Sequence, residues 1–420
     1  MQSAAVNADS VDARLTLSAE SGWGLTSYTR TRSAAPFAIL DSMISATLYA
    51  LQGRSALSFE PIDVYWSEAN TLDNVGTSYF SGAYIMILGD AGVDTDEYDE
   101  SVIIHEWGHY LQTILSRDDS IGGPHGSGDL LDMRVAFSEG WANAYSGLAS
   151  NRDVYSDTSG RNQGDGFTLS LESELTVNEG AVKGWYSEDS IQYIVFDLFD
   201  QGESDDDTLA LPVSAMIASM VDFMPKQAAA TSIFGFGAGV IAADISQTRA
   251  IMALFNREDI GSGLTTLSAS GVGETNSAQD YTDVTGVSDY TLPIFTILDS
   301  SLISPEICQT AATNNNQRTF GVDNKLGAYR FVQFEISTAG DYNVALTTTA
   351  TPLNAAGDPD FGIYNASGLI GPDPEALTFD ANSESHTLRL AKGLYWAWLQ
   401  DFNNHEPGSE SGRYCHRLEV

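Results

Sequence analysis

Residues 101–115, SVIIHEWGHYLQTIL, constrain the architecture more than any other stretch, because His105 and His109 can act together only where the chain is helical. At 3.6 residues per turn, side chains four positions apart differ by about 40° around the axis and project from one face, a turn apart. Two imidazoles so placed reach a single metal ion. Glu106, offset by about 100° from His105, meets a water at that ion without ligating it. With six histidines and 57 acidic residues in 420, chance supplies such an H-E-x-x-H at most about 0.01 times per chain, so two merely solvated histidines explain it poorly. Val102, Ile103, Tyr110 and Ile114 give the same helix a core-facing side, and it stops at Arg117-Asp118-Asp119, before the loop of Gly122 and Gly123.

A catalytic zinc needs three protein ligands and an open position. A third histidine six residues after His109 would occupy position 115, with glycine at 112; those positions hold Leu115 and Gln112, so that arrangement is excluded. The remaining one draws a glutamate from a following helix, and FSEGWANAYSG offers Glu139. Asn143 lies four residues further, on the same face, where its amide oxygen can accept the free N–H of a zinc histidine. An ordinary surface amide is the alternative.

The order YFSGAYIMILGD, acidic turn, VIIHEWGHYLQ, glycine loop, RVAFSEGWANAYSG resembles the gluzincin metallopeptidases, among them thermolysin and the fungalysins, over about residues 30–260. The resemblance implies an α+β, bilobed thermolysin-like unit with a β-rich lobe over about 1–118 and a mainly helical lobe over about 119–304. It assigns zinc to His105, His109 and Glu139, and the general base to Glu106. It also makes Tyr79 to Leu88 an edge strand that pairs with an extended peptide, a plain core strand being the alternative. Two departures stand out. Thermolysin-like enzymes carry N-E-x-x-S-D around the third ligand, whereas Ser138-Glu139-Gly140-Trp141-Ala142-Asn143 places an amide where they have a carboxylate. They also steady the oxyanion with a later histidine, and none lies between His125 and His386. His125, Tyr186 or Tyr193 must then donate. Tyr186 is preferred, at the mouth of a helix beginning near Ser187; a packed aromatic or a loop histidine is the alternative for each.

Elsewhere, Phe37, Leu40, Ile44 and Leu48 form the apolar stripe of a helix over 36–51, expected to face the core. Residues 62–66 read as a strand, and 133–149, 187–200, 211–224, 228–244 and 247–256 as helices. Residues 259–290, rich in Gly, Ser, Thr and Asp, read as surface loop. From about 318 onward RFVQFEIS, YNVALTTT, FGIYNAS, HTLRLAK and LYWAWLQ alternate as strands. A boundary near Ser304-Pro305 divides the chain into 1–304 and 305–420. The second part resembles the bacterial pre-peptidase C-terminal β-sandwich through GDPDFGIYNASG and GLYWAWLQD, which implies an accessory module for secretion or substrate contact. Cys308 and Cys415 stand near its two ends, as a fastening disulfide would, with two buried thiols as the alternative.

A formal net charge of -38 argues against nucleic acid and anionic membranes as partners. No run of eighteen apolar residues is present, so no transmembrane helix is expected. Met1 to Ser10 lacks signal-peptide character, and the expectation is a secreted protein whose signal has been removed. Asp94-x-Asp96-x-x-Asp99-Glu100 and Glu203-x-Asp205-Asp206-Asp207 offer hard oxygen ligands for calcium, but solvated loops are the preferred reading of both. Together these features predict a monomeric zinc endopeptidase acting on peptide or protein substrates. The alternatives are a non-catalytic zinc-containing binding or adhesion protein and a zinc hydrolase of non-peptide amides.

Overall fold

The computed structural model describes residues 18–172, 182–200, 209–277, 291–313, 317–353, 355–378, 382–405 and 411–420. The Glu203–Asp207 cluster lies outside them. The fold is α+β, and among the described residues no single helix is long and apolar enough to cross a membrane.

Helix α1 (Ala35–Gly53) starts with Pro36, whose missing N–H costs nothing in a first turn. It packs through Ala35, Ile39, Met43, Ala46 and Ala50, a face on which three of these five are alanine, and Tyr145 Oη donates to Ala46 O at 2.6 Å. The expected core stripe faces the other way: Phe37, Leu40, Ile44 and Leu48 are 54–56% exposed. Both sides of α1 carry apolar residues, and the side able to approach its neighbours closely is the one that is buried.

Strand β1 (Asp63–Trp66) is followed by the short helix α2 (Leu72–Val75), β2 (Tyr79–Phe80) and β3 (Tyr84–Ile87). The order β1-β3-β2 corrects the single edge strand expected over Tyr79 to Leu88. Gly82, with φ at +85°, and Ser81 Oγ, accepting from Ala83 N and Tyr84 N, turn the chain into a hairpin with β2 as its edge. Strands β4 (Gly89–Asp90), β5 (Asp94–Thr95), β6 (Val154–Ser159) and β7 (Asp165–Ser170) make a four-stranded sheet, its β6–β7 hairpin not anticipated from sequence. The acidic stretch before α3 (Glu100–Leu115) is not a solvated loop: Asp96, Glu97 and Asp99 are 3, 0 and 9% exposed, and Glu97 pairs with buried Arg32.

Next come α4 (Met133–Ser150), α5 (Glu188–Phe199), α6 (Val213–Ile217), α7 (Ile233–Ala243) and α8 (Thr248–Arg257). The regular helix expected over 211–224 is only partly realised, because α6 passes into a π-helical turn over Ala218–Phe223.

The C-terminal strands are β8 (Phe295–Ile297), β9 (Ile307–Thr310), β10 (Ala312–Thr313), β11 (Thr319–Phe320), β12 (Arg330–Ile336), β13 (Gly340–Ala350), β14 (Pro359–Asn365), β15 (Gly368–Gly371), β16 (Ser383–Leu390), β17 (Gly393–Asp401) and β18 (Arg413–Glu419). Two sheets, β15-β14-β17-β12-β8 and β16-β13-β18-β9, form a β-sandwich, while β10 and β11 pair separately. Alternation decides the packing: Val332, Phe334 and Ile336 of β12 meet Val344, Leu346 and Leu418 of the facing sheet. Phe331 and Trp396 point the other way, into the core shared with the helices. Because β8 pairs in parallel with β12, the sandwich recruits residues from before Ser304. Cys308 and Cys415 are direct partners on β9 and β18 and form a disulfide within one sheet.

Candidate metal centre

α3 and α4 cross where neither can carry bulk. A Cβ on Gly108 would lie 3.1 Å from Ala142 Cα, and Trp141 Nε1 donates to Gly108 O at 3.2 Å. Gly140 opens the other side of α4: its missing Cβ leaves room for Glu188 O and Ile191, each of which it would meet at 2.7 Å. These two glycines set the helix of His105 and His109 against the helix of Glu139, and bring α5 behind both.

The expected ligands converge. His105 Nε2 and His109 Nε2 are 3.0 Å apart, and Glu139 Oε2 stands 3.3 Å from each. Tetrahedral neighbours bound at zinc's usual lengths are separated by about 3.3 Å, so the triangle has the right size. Its orientation agrees. Asn143 Nδ2 donates to Glu188 Oε1 at 2.7 Å and Gln192 Oε1 at 3.1 Å, which turns its Oδ1 toward His105 Nδ1 at 2.8 Å. An amide oxygen only accepts, so the proton sits on Nδ1 and Nε2 presents a lone pair. His109 Nδ1 has Ser138 Oγ at 3.0 Å. Nitrogen lone pairs facing one another beside a carboxylate call for a cation, and the donor set fits zinc. Burial pushes Glu139 upward, but positive charge on the imidazoles facing it, His109 first, outweighs burial and holds the carboxyl well below its ordinary value. For His109, burial acts downward and Glu139 lifts it to about 9, so a cation entering the triangle would have to displace the His109 proton to gain that lone pair.

Glu106 stays apart from this triangle. Its Oε2 accepts from Phe80 N of β2 at 2.6 Å, and burial raises its pKa. All four residues line a cleft of about 850 Å³, together with Phe80, His125, Tyr155 and Glu188.

Asn143, 4% exposed, occupies the expected place behind His105 and is no surface amide. The carboxyl that thermolysin-like enzymes carry at that position stands one step further out here, as Glu188, which Asn143 Nδ2 contacts. Burial pushes that carboxyl up to about 7. His125 also reaches the site: Nδ1 donates to Gly123 O at 3.1 Å, leaving Nε2 3.4 Å from Glu139 Oε2 and 3.9 Å from Glu188 Oε2. Its loop is anchored from the C-terminal part, Asn324 Nδ2 donating to Gly122 O at 2.8 Å and Lys325 Nζ to Pro124 O at 2.7 Å.

Neither expected tyrosine is there. Tyr186 is 1% exposed, with Oη 3.0 Å from Lys183 O and 3.2 Å from Asn276 Oδ1. Its ring folds back over the space where Gly184 lacks a side chain. Tyr193 lies about 100° round α5 from Gln192 and faces Asp189 and Glu258 instead of the cleft. Sequence reasoning missed Tyr155, on β6. Its ring meets His105 edge-on with centroids 5.9 Å apart and stacks on Phe167. Burial, then the Glu106 charge, lifts its phenol well above 10, so it remains protonated. The only sequence signal was alternation in VYSDTS and GFTLS, diluted by polar residues.

No family model matches the chain, and no curated protein matches it. Among solved structures, one likeness is to the pre-peptidase C-terminal domain of a collagenase from Bacillus anthracis, at 8% identity and TM-score 0.18, covering 30% of this chain and 92% of that one. Another is to CorA, described as a surface-associated copper-binding protein important in copper acquisition by Methylomicrobium album BG8, at 10% identity and TM-score 0.19, covering 30% of this chain and 96% of that one. Scores this low carry no argument about what the chain does.

Proposed function

We propose that this chain is a zinc-dependent peptidase of the gluzincin type, secreted and monomeric, with a bilobed thermolysin-like unit followed by an accessory β-sandwich domain that begins at β8, ahead of the expected boundary near 304. One observation carries the reading: His105 Nε2, His109 Nε2 and Glu139 Oε2 converge at 3.0–3.3 Å in an open cleft, with Glu106 beside them and outside the triangle. Bound zinc supplies Lewis acidity toward a carbonyl oxygen and toward water. Glu106, oriented by Phe80 N–H, takes the proton from the attacking water and returns it to the leaving amine. Tyr155 and His125 replace Tyr186 and Tyr193 as donors to the developing oxyanion. The β2 edge, with Tyr79 and Phe80 on the cleft wall, suits an extended peptide.

A second reading has one observation in its favour. His125 Nε2 faces the same Glu139 oxygen at 3.4 Å, so a closed four-ligand site in a binding protein is the rival. Incubating the protein with a mixed peptide library, with and without a zinc chelator, separates the two. Internal cuts that vanish on chelation and return with zinc support the peptidase. A zinc-loaded protein that leaves every peptide intact while hydrolysing a simple amide or ester assigns it to non-peptide substrates; one that cuts neither sinks the enzymatic reading.

A further inference from the structure

The cleft holds a second set of donors, made only of oxygen. Asp94 on β5, Asp96 just beyond it and Asp157 on β6 each bring one carboxylate oxygen to within 4.8 Å of the other two. Asp96 is 3% exposed, and with Asp157 it lines the cleft wall. Ser78 Oγ donates to Asp96 Oδ2, whereas no other side chain or backbone donor among the described residues reaches buried Asp96 Oδ1 or Asp94 Oδ1; the two carboxyls are close enough to share a proton, which a bound cation would displace. A buried carboxylate oxygen without a donor calls for an explanation, and two of them on neighbouring side chains, facing a third carboxylate, point to one shared occupant. The other charges acting on the three, Asp90 and Asp99, are negative as well. Asp99 is already engaged, its oxygens accepting from Thr158 N and Oγ1 at 2.8 and 2.9 Å. Burial, reinforced by this mutual repulsion, lifts Asp96 to about 9 and Asp157 to about 7.

We propose that Asp94, Asp96 and Asp157 bind one calcium ion, which clamps β5 to the β6–β7 hairpin along the cleft. Calcium takes six to eight oxygen ligands at about 2.3–2.6 Å in flexible geometry, so oxygens on its opposite sides lie up to about 5 Å apart, which accommodates this triad. Zinc, suited to nitrogen and sulfur donors, goes to the histidines instead. A substrate ammonium is the poorer occupant, because a single positive charge offsets three clustered carboxylates less well than a divalent ion does. The clamp reaches the proposed machinery from two sides. Ser78, bound to Asp96, also accepts from Leu88 N at 2.9 Å and lies two residues before Phe80, whose N–H holds Glu106. Asp157 lies two residues after Tyr155. The proposal rests on these carboxylates and stands whether or not the chain is a peptidase.

The test is calorimetric titration of calcium into the zinc-loaded, calcium-free full chain near pH 7, in two buffers of different ionisation enthalpy, with thermal unfolding measured alongside. Wild type should take up one more calcium than Asp94→Asn/Asp96→Asn, release protons as it binds, and melt at a higher temperature with calcium than without. Asp157→Asn should bind at least tenfold more weakly, and magnesium should compete poorly. Should the double variant fail to fold, half-buried Asp157→Asn and the wild-type proton release decide the matter. Wild type taking up no calcium, or variants that bind and are stabilised as wild type is, would overturn the site.

Discussion

Replacing Asn143 by leucine tests the link between the proposed metal ligands and the residues that orient them. Leucine keeps much of the volume but removes the acceptor of His105 Nδ1–H and both donors that Asn143 supplies to Glu188 and Gln192. Loss of an outer-shell partner of this kind weakens metal binding by about 10–100-fold, or about 1.4–2.7 kcal/mol. Glu188 Oε1 and Gln192 Oε1 also lose their shared donor, at about 1–3 kcal/mol each if no water replaces it, a large part of the roughly 5–15 kcal/mol that holds a domain folded. Zinc competition against a chromogenic chelator reads the first effect, and denaturant unfolding of the zinc-free protein reads the second. Asn143→Asp should differ in kind: it still accepts from His105, and Glu188, already raised by burial, keeps its proton to bond the new carboxylate. Zinc affinity within twofold of wild type in Asn143→Leu would refute the argument that this amide fixes the His105 tautomer.

Gly140→Ala should destabilise by about 1–3 kcal/mol, since its Cβ would force α5 and Glu188 away from α4; an unchanged unfolding midpoint would show that the helices can part freely. Reducing Cys308–Cys415, 107 residues apart, should lower stability by about 4–5 kcal/mol in the chain-entropy model, and the native protein should show no alkylatable thiol before reduction. In the sandwich, burial raises Asp360 to about 7. The native state therefore holds that proton more tightly than the unfolded chain, and the group's contribution to stability is lost as pH climbs from about 4 through 7. Relative to wild type, Asp360→Asn should gain stability across that window, and parallel pH–stability curves would count against the shift. Tyr155→Phe should lower kcat more than KM, whereas Tyr186→Phe should leave kcat largely intact.

His105 and His109 were legible as a pair because a covalent spacing carries them: four residues on a helix fix an angle whatever the surroundings. Glu139 has no such spacing and was reached through the resemblance, although α3 and α4 appear within a residue or two of the expected limits. The strands β12, β13, β14, β16 and β17 were legible for the same reason, their alternation matching the pleat. What failed was direction where two answers share one pattern. α1 is apolar on both sides, and only tertiary packing chooses the small-residue face. Tyr186 sits at a helix mouth as expected, yet Gly184 lets its ring turn inward. Tyr155 belongs to a hairpin whose pairing spans polar, glycine-rich sequence, so its arrival beside His105 is a property of the sheet. Lone acidic residues read as solvated until the fold buried them together at Asp96.

Zinc content and peptide hydrolysis measured together on Glu106→Gln and Glu139→Gln test the central claim most directly, because the two carboxylates share a cleft yet are given different work. Glu106→Gln keeps the shape but cannot take a proton, so hydrolysis should collapse while one zinc per chain stays bound. Glu139→Gln exchanges an anionic ligand oxygen for a neutral one, so zinc should leave on dialysis and activity with it, with partial recovery in excess zinc. A Glu106→Gln protein emptied of zinc, beside a Glu139→Gln protein that remains loaded and active, would contradict the account and move the third ligand elsewhere, with His125 the nearest candidate.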